Sequence, residues 1–296
     1  MPLITIAGHL TIDEVVSKDF SHRCMGGVSC YAALAARLLG AEVNVISKIG
    51  VDFPKEYLQL LRSAGVNISG VSIEPESKST FFQITYFDDE RRFRLLSRAG
   101  DLSIIDLEGD AIYLGPVAWE INLDEIGELA KKHERVMLDP QGLMRITDEN
   151  GFILLKRLDL KFPKLWSLRI SKEEARLLAQ ASGVEEMLNR LESIGAEVLI
   201  LTLGKDGAIV SHREKRIKVP CFEALEKDPT GAGDVFGGAF IAEYLDSGDV
   251  EWAAAMGSAA ASIVVEERGF YPLLARSAKK EVGRRAEIVY ELIEKI

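Results

Sequence analysis

Apolar strand-like runs and helical runs take turns along most of this 296-residue chain. That alternation restricts it to an α/β body around a mostly parallel sheet, because parallel neighbours need a crossover and a helix is the usual one. Residues 3–7 predict the first strand, a helix beginning near Gly27 and stopped by Gly40 follows, and then come strand 42–47 and helix 54–64, ended by Gly65. Further on the spacing predicts strand 111–114, helix 122–132, strand 135–139, a helix near 148–157, strand 166–170, helices within 171–193 and strand 197–202. A hairpin at 207–211 and 215–219 and helices at 232–246, 250–265 and 275–294 complete the order. One stretch breaks the rhythm. Residues 67–73, 80–87 and 92–96 alternate β-branched and aromatic residues with polar ones and hold no helix, which predicts a small sheet projecting from the body. The expectation is one three-layer α/β/α domain over 1–296, with no linker or internal repeat, carrying a β flap.

The run DPTGAGDVFGGAF, Asp228 to Phe240, sets a glycine-rich turn before an apolar helix. Gly231, Ala232 and Gly233 leave their amides open to a ligand, and the helix adds the positive end of its dipole. An acid in the first turn, Asp234, would repel a bound phosphate unless it takes a proton from a hydroxyl attacking that phosphate. Local physics leaves a second reading open, a tight turn into a helix with an ordinary acidic first residue.

The run resembles the C-terminal signature D-T-T-G-A-G-D of the ribokinase family of carbohydrate kinases, also called the PfkB family, and departs from it at Pro229. The resemblance extends over essentially the whole chain and implies a ribokinase-like fold with a reduced β-sheet lid drawn from about 13–25 and 67–97, ATP as donor and Mg²⁺ as cofactor, with a monovalent cation near the loop before Gly231 left open. It implies Asp234 as general base and the amides of Gly231, Ala232 and Gly233 as donors to the transferring phosphate. On the acceptor side Asp13 resembles the family's sugar-binding aspartate, and Gly26 and Gly27 resemble the paired glycines that let the sugar approach. Tyr31 stands where many ribokinases carry asparagine. Asp52 fits a G-x-D-x-x-G scaffold stretch in which Pro54 replaces a glycine. Gln141 and Arg145, in DPQGLMR after a strand, are polar contacts similar to those of inositol-type members, or a strand-end turn with a surface arginine.

On the donor side, Glu174 in RISKEEA resembles the glutamate of the N-x-x-E motif, with Ser171 for the asparagine, and would hold magnesium through water. The same S-x-x-E also reads as a capping box. Thr202, Gly204 and Gly207 match a T-x-G-x-x-G turn lining the nucleotide site. Gly257 and Ser258 resemble the small-residue face on which adenine rests, although helix packing explains small residues equally well.

Composition narrows the rest. A formal net charge of −10 argues against nucleic acid, which wants a basic stripe. No apolar run approaches the roughly 18 residues of a membrane helix, and the start MPLITIAGHL has no basic n-region, so a cytoplasmic protein without membrane partners is expected. Cys24, Cys30 and Cys221 form no CxxC pair, and the four histidines show no metal-ligand spacing. GxxxxGK[ST], GxGxxG after the first strand and GxSxG are all absent. Arg91, Arg92, Arg94 and Arg98, after the acidic run Asp88 to Glu90, read as a solvated strand face or as a substrate-facing cation.

The expected activity is ATP- and Mg²⁺-dependent phosphotransfer to a hydroxyl of a small sugar or polyol, inositol-like in its resemblance, by a monomer or homodimer. A nucleoside kinase of the same fold, stacking a base on Phe81, Phe82, Tyr86 or Phe93, is the alternative. A catalytically silent sugar-binding regulator is a third reading, against which the intact Asp234 argues.

Overall fold

The computed structural model describes residues 1–17, 21–87, 90–162 and 164–296, with the backbone alone at Tyr86, Phe87, Glu90 and Arg91. Asp88 and the side chains of Tyr86, Glu90 and Arg91, which figure in the sequence expectations, therefore lie outside the described residues. In chain order the elements are β1 (Leu3–Ala7), β2 (Thr11–Val16), β3 (Ser21–Gly26), α1 (Val28–Leu39), β4 (Glu42–Gly50), α2 (Lys55–Ser63), β5 (Asn67–Glu74), β6 (Thr80–Phe87) and β7 (Glu90–Ser97). There follow β8 (Ala111–Leu114), α3 (Leu123–Lys132), β9 (Val136–Leu138), β10 (Arg145–Thr147), β11 (Ile153–Leu155), β12 (Ser167–Ser171), α4 (Lys172–Ala179), α5 (Val184–Glu192) and β13 (Val198–Thr202). The chain closes with β14 (Ala208–His212), β15 (Lys215–Val219), α6 (Ala232–Ser247), α7 (Val250–Val264), α8 (Ala278–Glu291) and β16 (Glu294–Lys295).

Ten strands form the main sheet in the order β16-β15-β14-β13-β12-β9-β8-β1-β4-β5, parallel from β13 through β5 and antiparallel beyond β13. Side chains alternate between two cores, as the period of a strand demands. In β13, Val198 and Ile200 face the core built with α1, α6, α7 and α8, whereas Leu199 and Leu201 face the one built with α3, α4 and α5. Tyr113 in β8 joins the first core and its neighbours Ile112 and Leu114 the second. These are the helix layers on either side of the sheet. From β1 the chain proceeds outward to β4 on one side and returns to β8 on the other. Strand order reverses there, and the crevice outside the carboxyl ends of such strands is where open α/β sheets bind ligands.

A second, four-stranded sheet, β3-β2-β6-β7, stands beside those carboxyl ends. It corrects one expectation: 67–73 is not part of the lid, because β5 pairs in parallel with β4 at the edge of the main sheet. An edge strand, with Ile68 buried and Asn67, Ser69 and Ser72 exposed, alternates much as a lid strand does. What separates the two cases is α2, the crossover that returns the chain to its own sheet. The helix expected near 148–157 is likewise absent. Asp148 Oδ1 accepts from the amides of Asn150 and Phe152, and Gly151 takes φ 83°, which turns the chain into the β10–β11 hairpin. No helix among the described residues is long and apolar enough to cross a membrane.

Candidate active site

The loop from β15 to α6 arrives at the sheet's carboxyl ends folded on itself by Asp228, whose Oδ1 accepts from the amide and hydroxyl of Thr230 (2.9 and 2.6 Å). Gly231 then takes φ +78° and starts α6. A side chain here would be strained by the left-handed backbone and would also overlap the buried ring of Tyr31. Gly233 is small for another reason: a Cβ would overlap the guanidinium of Arg169.

Two cavities meet at this helix start. The first, of about 230 Å³, is lined by Asp13, Gly27, Tyr31, Gln141, Arg145 and Asp234, with Gly231, Gly233 and Glu174 at its wall and Phe82, Ile84 and Phe93 of the small sheet over it. The second, of about 420 Å³, is lined by Thr202, Gly204, Gly207, Ala232 and Ser258. Arg169, Ser171 and Gly233 belong to both linings and so mark the partition.

At the partition Asp234 is held by two donors, Gln141 Nε2 and Arg169 Nη2, both 3.3 Å from Oδ1. Oδ2 receives no bond from the described residues. The same Arg169 Nη2 donates to Asp139 Oδ2 at the end of β9, so one buried cation bridges two carboxylates. Arg145 donates to Gln141 Oε1 and to the carbonyl of Val117, both 2.9 Å, and its guanidinium lies 5.6 and 5.7 Å from the rings of Phe82 and Phe93. Burial pushes the Asp234 carboxyl above the ordinary aspartate range, and the positive charges of Arg169 and Arg145 oppose that rise.

The family model for pfkB family carbohydrate kinases matches residues 13–275. The chain belongs to that family. It is similar to a cytidine kinase of Thermococcus kodakarensis, at 29% identity over 279 residues, covering 90% of this chain and 97% of that one. An inositol 3-kinase of Arabidopsis thaliana is 26% identical over 305 residues, 95% of this chain and 80% of the relative. Among solved structures, a pyrophosphate-dependent kinase in the ribokinase family, complexed with a pyrophosphate analog and myo-inositol, superimposes with a TM-score of 0.82 at 22% identity, over 95% of this chain and 99% of that one, and establishes the shared fold.

In this kinase Asp13 is buried on β2, where it accepts from Thr11 Oγ1 at 2.7 Å. Gly26 makes room for it, since a Cβ there would overlap the Asp13 carboxylate. Gly27, at φ +87°, precedes α1. The Tyr31 hydroxyl is buried and finds no partner among the described residues. Burial pushes its phenol well up, so it stays protonated and able to donate.

Glu174 Oε2 accepts from the amide (3.0 Å) and hydroxyl (2.7 Å) of Ser171, and the Ser171 hydroxyl accepts from the Glu174 amide, which completes the capping box of α4. The carboxylate nevertheless lines the first cavity. Among the described residues no cluster of three or more His, Cys, Asp or Glu could cage a metal. A single carboxylate at the cavity wall is the kind of group that reaches Mg²⁺ through water, since that ion commonly keeps several waters.

At the second cavity Gly204 (φ +63°) has open space before it, and Ser258 donates to the carbonyl of Pro220 at 2.7 Å. Gly257 is placed elsewhere: it lies under Phe236, where α7 packs on α6. Asp52 holds the root of the small sheet by accepting from the amide and hydroxyl of Ser79. Arg94 and Arg98 are engaged with the carbonyls of Asn150 and Ala118. Sequence reasoning missed Arg169 and Asp139. The available signal was a lone arginine inside the buried strand SLRIS, a place where a charge persists only if paired.

Proposed function

We propose that the chain is an ATP- and Mg²⁺-dependent kinase that phosphorylates a hydroxyl of a small sugar or cyclic polyol of the inositol type. The observation that carries this reading is the first cavity: about 230 Å³, with Asp13, Gln141, Arg145 and Asp234 converging on it. Its aromatic residues already have neighbours: Arg145 lies near the rings of Phe82 and Phe93, and the Tyr31 ring packs against Gly231. Many convergent polar groups in a small volume suit a ligand covered with hydroxyls. The Arabidopsis inositol 3-kinase likeness is in keeping with it.

In this reading Asp13 and the Tyr31 hydroxyl orient the acceptor, and Asp234 Oδ2 accepts the proton of the attacking hydroxyl. The new bond joins the acceptor's hydroxyl oxygen to the donor's terminal phosphorus as the bond from that phosphorus to the departing nucleoside diphosphate breaks. The amides of Gly231, Ala232 and Gly233 stabilise the charge on the transferring group, each such donor being worth on the order of 3 kcal/mol. The donor occupies the second cavity, between the 202–207 turn and Ser258. Mg²⁺, when bound near Glu174, neutralises phosphate charge. A monovalent cation beside the loop before Gly231 belongs to this reading as a further proposal, as does a monomer or homodimer.

The test is ADP formation by the purified protein across a panel of inositols, hexoses, pentoses and nucleosides. Turnover with a polyol or sugar at a kcat/KM at least about tenfold above any nucleoside is expected. A nucleoside as best acceptor would replace this reading with the second one, which the 29% identity to the Thermococcus cytidine kinase favours.

A further inference from the structure

The most unusual group at the partition is Arg169. Its side chain is 6% exposed, it stands in β12 between the buried apolar neighbours Leu168 and Ile170, and it lines both cavities. A buried arginine needs negative partners, and here it has two, Asp139 from the end of β9 and Asp234 from the first turn of α6. Gly233 is kept without a side chain by the close approach of the guanidinium. The start of α6 is thus shaped around this arginine.

We propose that Arg169 is a positioning residue for phosphoryl transfer: by bridging Asp139 and Asp234 it keeps the base charged, aims Oδ2 at the acceptor and sets a fixed positive charge where the two cavities meet. The inference rests on the reading of Asp234 as general base. Two geometric facts support it. Both protein bonds to Asp234 fall on Oδ1, so the carboxylate is oriented with one oxygen left for substrate. The second tether, Gln141, is itself held by Arg145, so the orientation is fixed from two different elements. Asp139 serves as the anchor that keeps the guanidinium from following Asp234 when substrate binds.

The charge argument gives a sign. Burial alone favours the neutral acid, and a neutral acid cannot accept a proton. The other groups bearing on Asp234 are Arg145 beyond Gln141, which helps, and Glu174 of α4, which opposes. Asp13 of β2 shares the cavity, while Tyr113 of β8 and Cys30 of α1 are buried with raised titrations and stay neutral. Removing Arg169 therefore moves the acid limb of the kcat–pH profile to higher pH.

The experiment compares wild type, Asp234→Asn, Arg169→Met, Arg169→Lys and Asp139→Asn as purified full-length enzymes, reading kcat, acceptor KM and the kcat–pH profile with the best acceptor from the panel. Asp234→Asn tests the underlying reading, and near-normal turnover in it would remove the base itself. Given an inactive Asp234→Asn, Arg169→Met is expected to lose about 10²-fold in kcat at neutral pH and to shift the acid limb up by about one unit or more, with acceptor KM within about threefold. Arg169→Lys should recover part of both effects, since it restores charge without the fork. Asp139→Asn should leave the cation to Asp234 alone and move the limb down. Wild-type kcat and an unmoved acid limb in Arg169→Met would overturn the proposal. If Arg169→Met does not fold, an unmoved limb in both Arg169→Lys and Asp139→Asn overturns it.

Discussion

Gly231 and Gly233 sit two residues apart in one motif and are small for different physical reasons. At Gly231 the left-handed backbone and the Tyr31 ring both exclude a side chain, so Gly231→Ala combines about 1–2 kcal/mol of backbone strain with displacement of the amides. We expect a lowered thermal midpoint together with a loss of about 10²-fold or more in kcat. Turnover close to wild type would mean that the turn does not organise the anion site. Asp234→Asn should lose about 10²–10⁴-fold in kcat while nucleotide affinity, measured calorimetrically, stays within a few-fold. Its stability moves the other way. An acid whose folded pKa is raised binds its proton more tightly in the folded state, so stability falls as pH rises from the ordinary aspartate value through the raised one, and the deficit is complete above it. The asparagine removes it, and the thermal midpoint should be equal or higher. Tyr31→Phe deletes a buried hydroxyl without a partner among the described residues. The expected outcome is a higher melting temperature with a several-fold rise in acceptor KM and little change in kcat. An unchanged KM would show that the hydroxyl does not touch the acceptor.

Among the elements, α4 carries two tasks that a pair of variants can separate. The capping box ties Ser171 to Glu174, and Ser171→Ala should cost about 1 kcal/mol in denaturant unfolding. Glutamine also serves in a capping box, so Glu174→Gln should be close to neutral in stability. If Glu174 also supports Mg²⁺, that same variant requires several-fold more Mg²⁺ for half-maximal activity. An unaltered Mg²⁺ titration would reduce Glu174 to a capping residue. Strand β12 shows how one element serves both sides of the site. Leu168 and Ile170 supply the core shared with α3, α4 and α5, Arg169 reaches the partition, and Ser171 ends the strand and caps the next helix.

Across the whole molecule the small sheet is joined to the body at its root by a buried cluster. His9 lies between Thr80 Oγ1 (2.7 Å) and the carbonyl of Gly100 (2.9 Å), the residues flanking the β6–β7 pair. The fully buried Glu120 accepts from the amides of His9, Val117 and Ala118. Val117 in turn fixes Arg145 through its carbonyl, so the root of the sheet and the acceptor cavity share a framework. A sheet anchored this way and carrying Phe82, Ile84 and Phe93 over the cavity is suited to exclude water from the reacting groups. Amide exchange in 80–87 and 92–97 should therefore slow when acceptor and a non-hydrolysable donor are both bound. ADP release without acceptor should remain a small fraction of the coupled rate. Equal rates with and without acceptor would dismiss the covering role.

The α/β alternation was legible because parallel strands must be separated by crossovers, and the helix opening at Gly231 was legible because turn and dipole chemistry is local. The resemblance carried by Asp228 to Phe240 named the family that the match over 13–275 bears out. Contacts distant in sequence were not legible. Alternation in 67–73 looks the same at a sheet edge as in a lid, and only pairing with β4 decided it. The hairpin at 145–155 depended on Asp148 bonding its own backbone, a local competition that helical spacing does not reveal. Arg169 and Asp234, 65 residues apart, meet because β12 ends and α6 begins at the same edge of the sheet. The sequence by itself thus determined the layers and the glycine-rich turn that opens α6, since both follow from near-neighbour geometry. Only the tertiary structure decided which cation faces Asp234 and which strands cover the first cavity, because those are choices among long-range pairings.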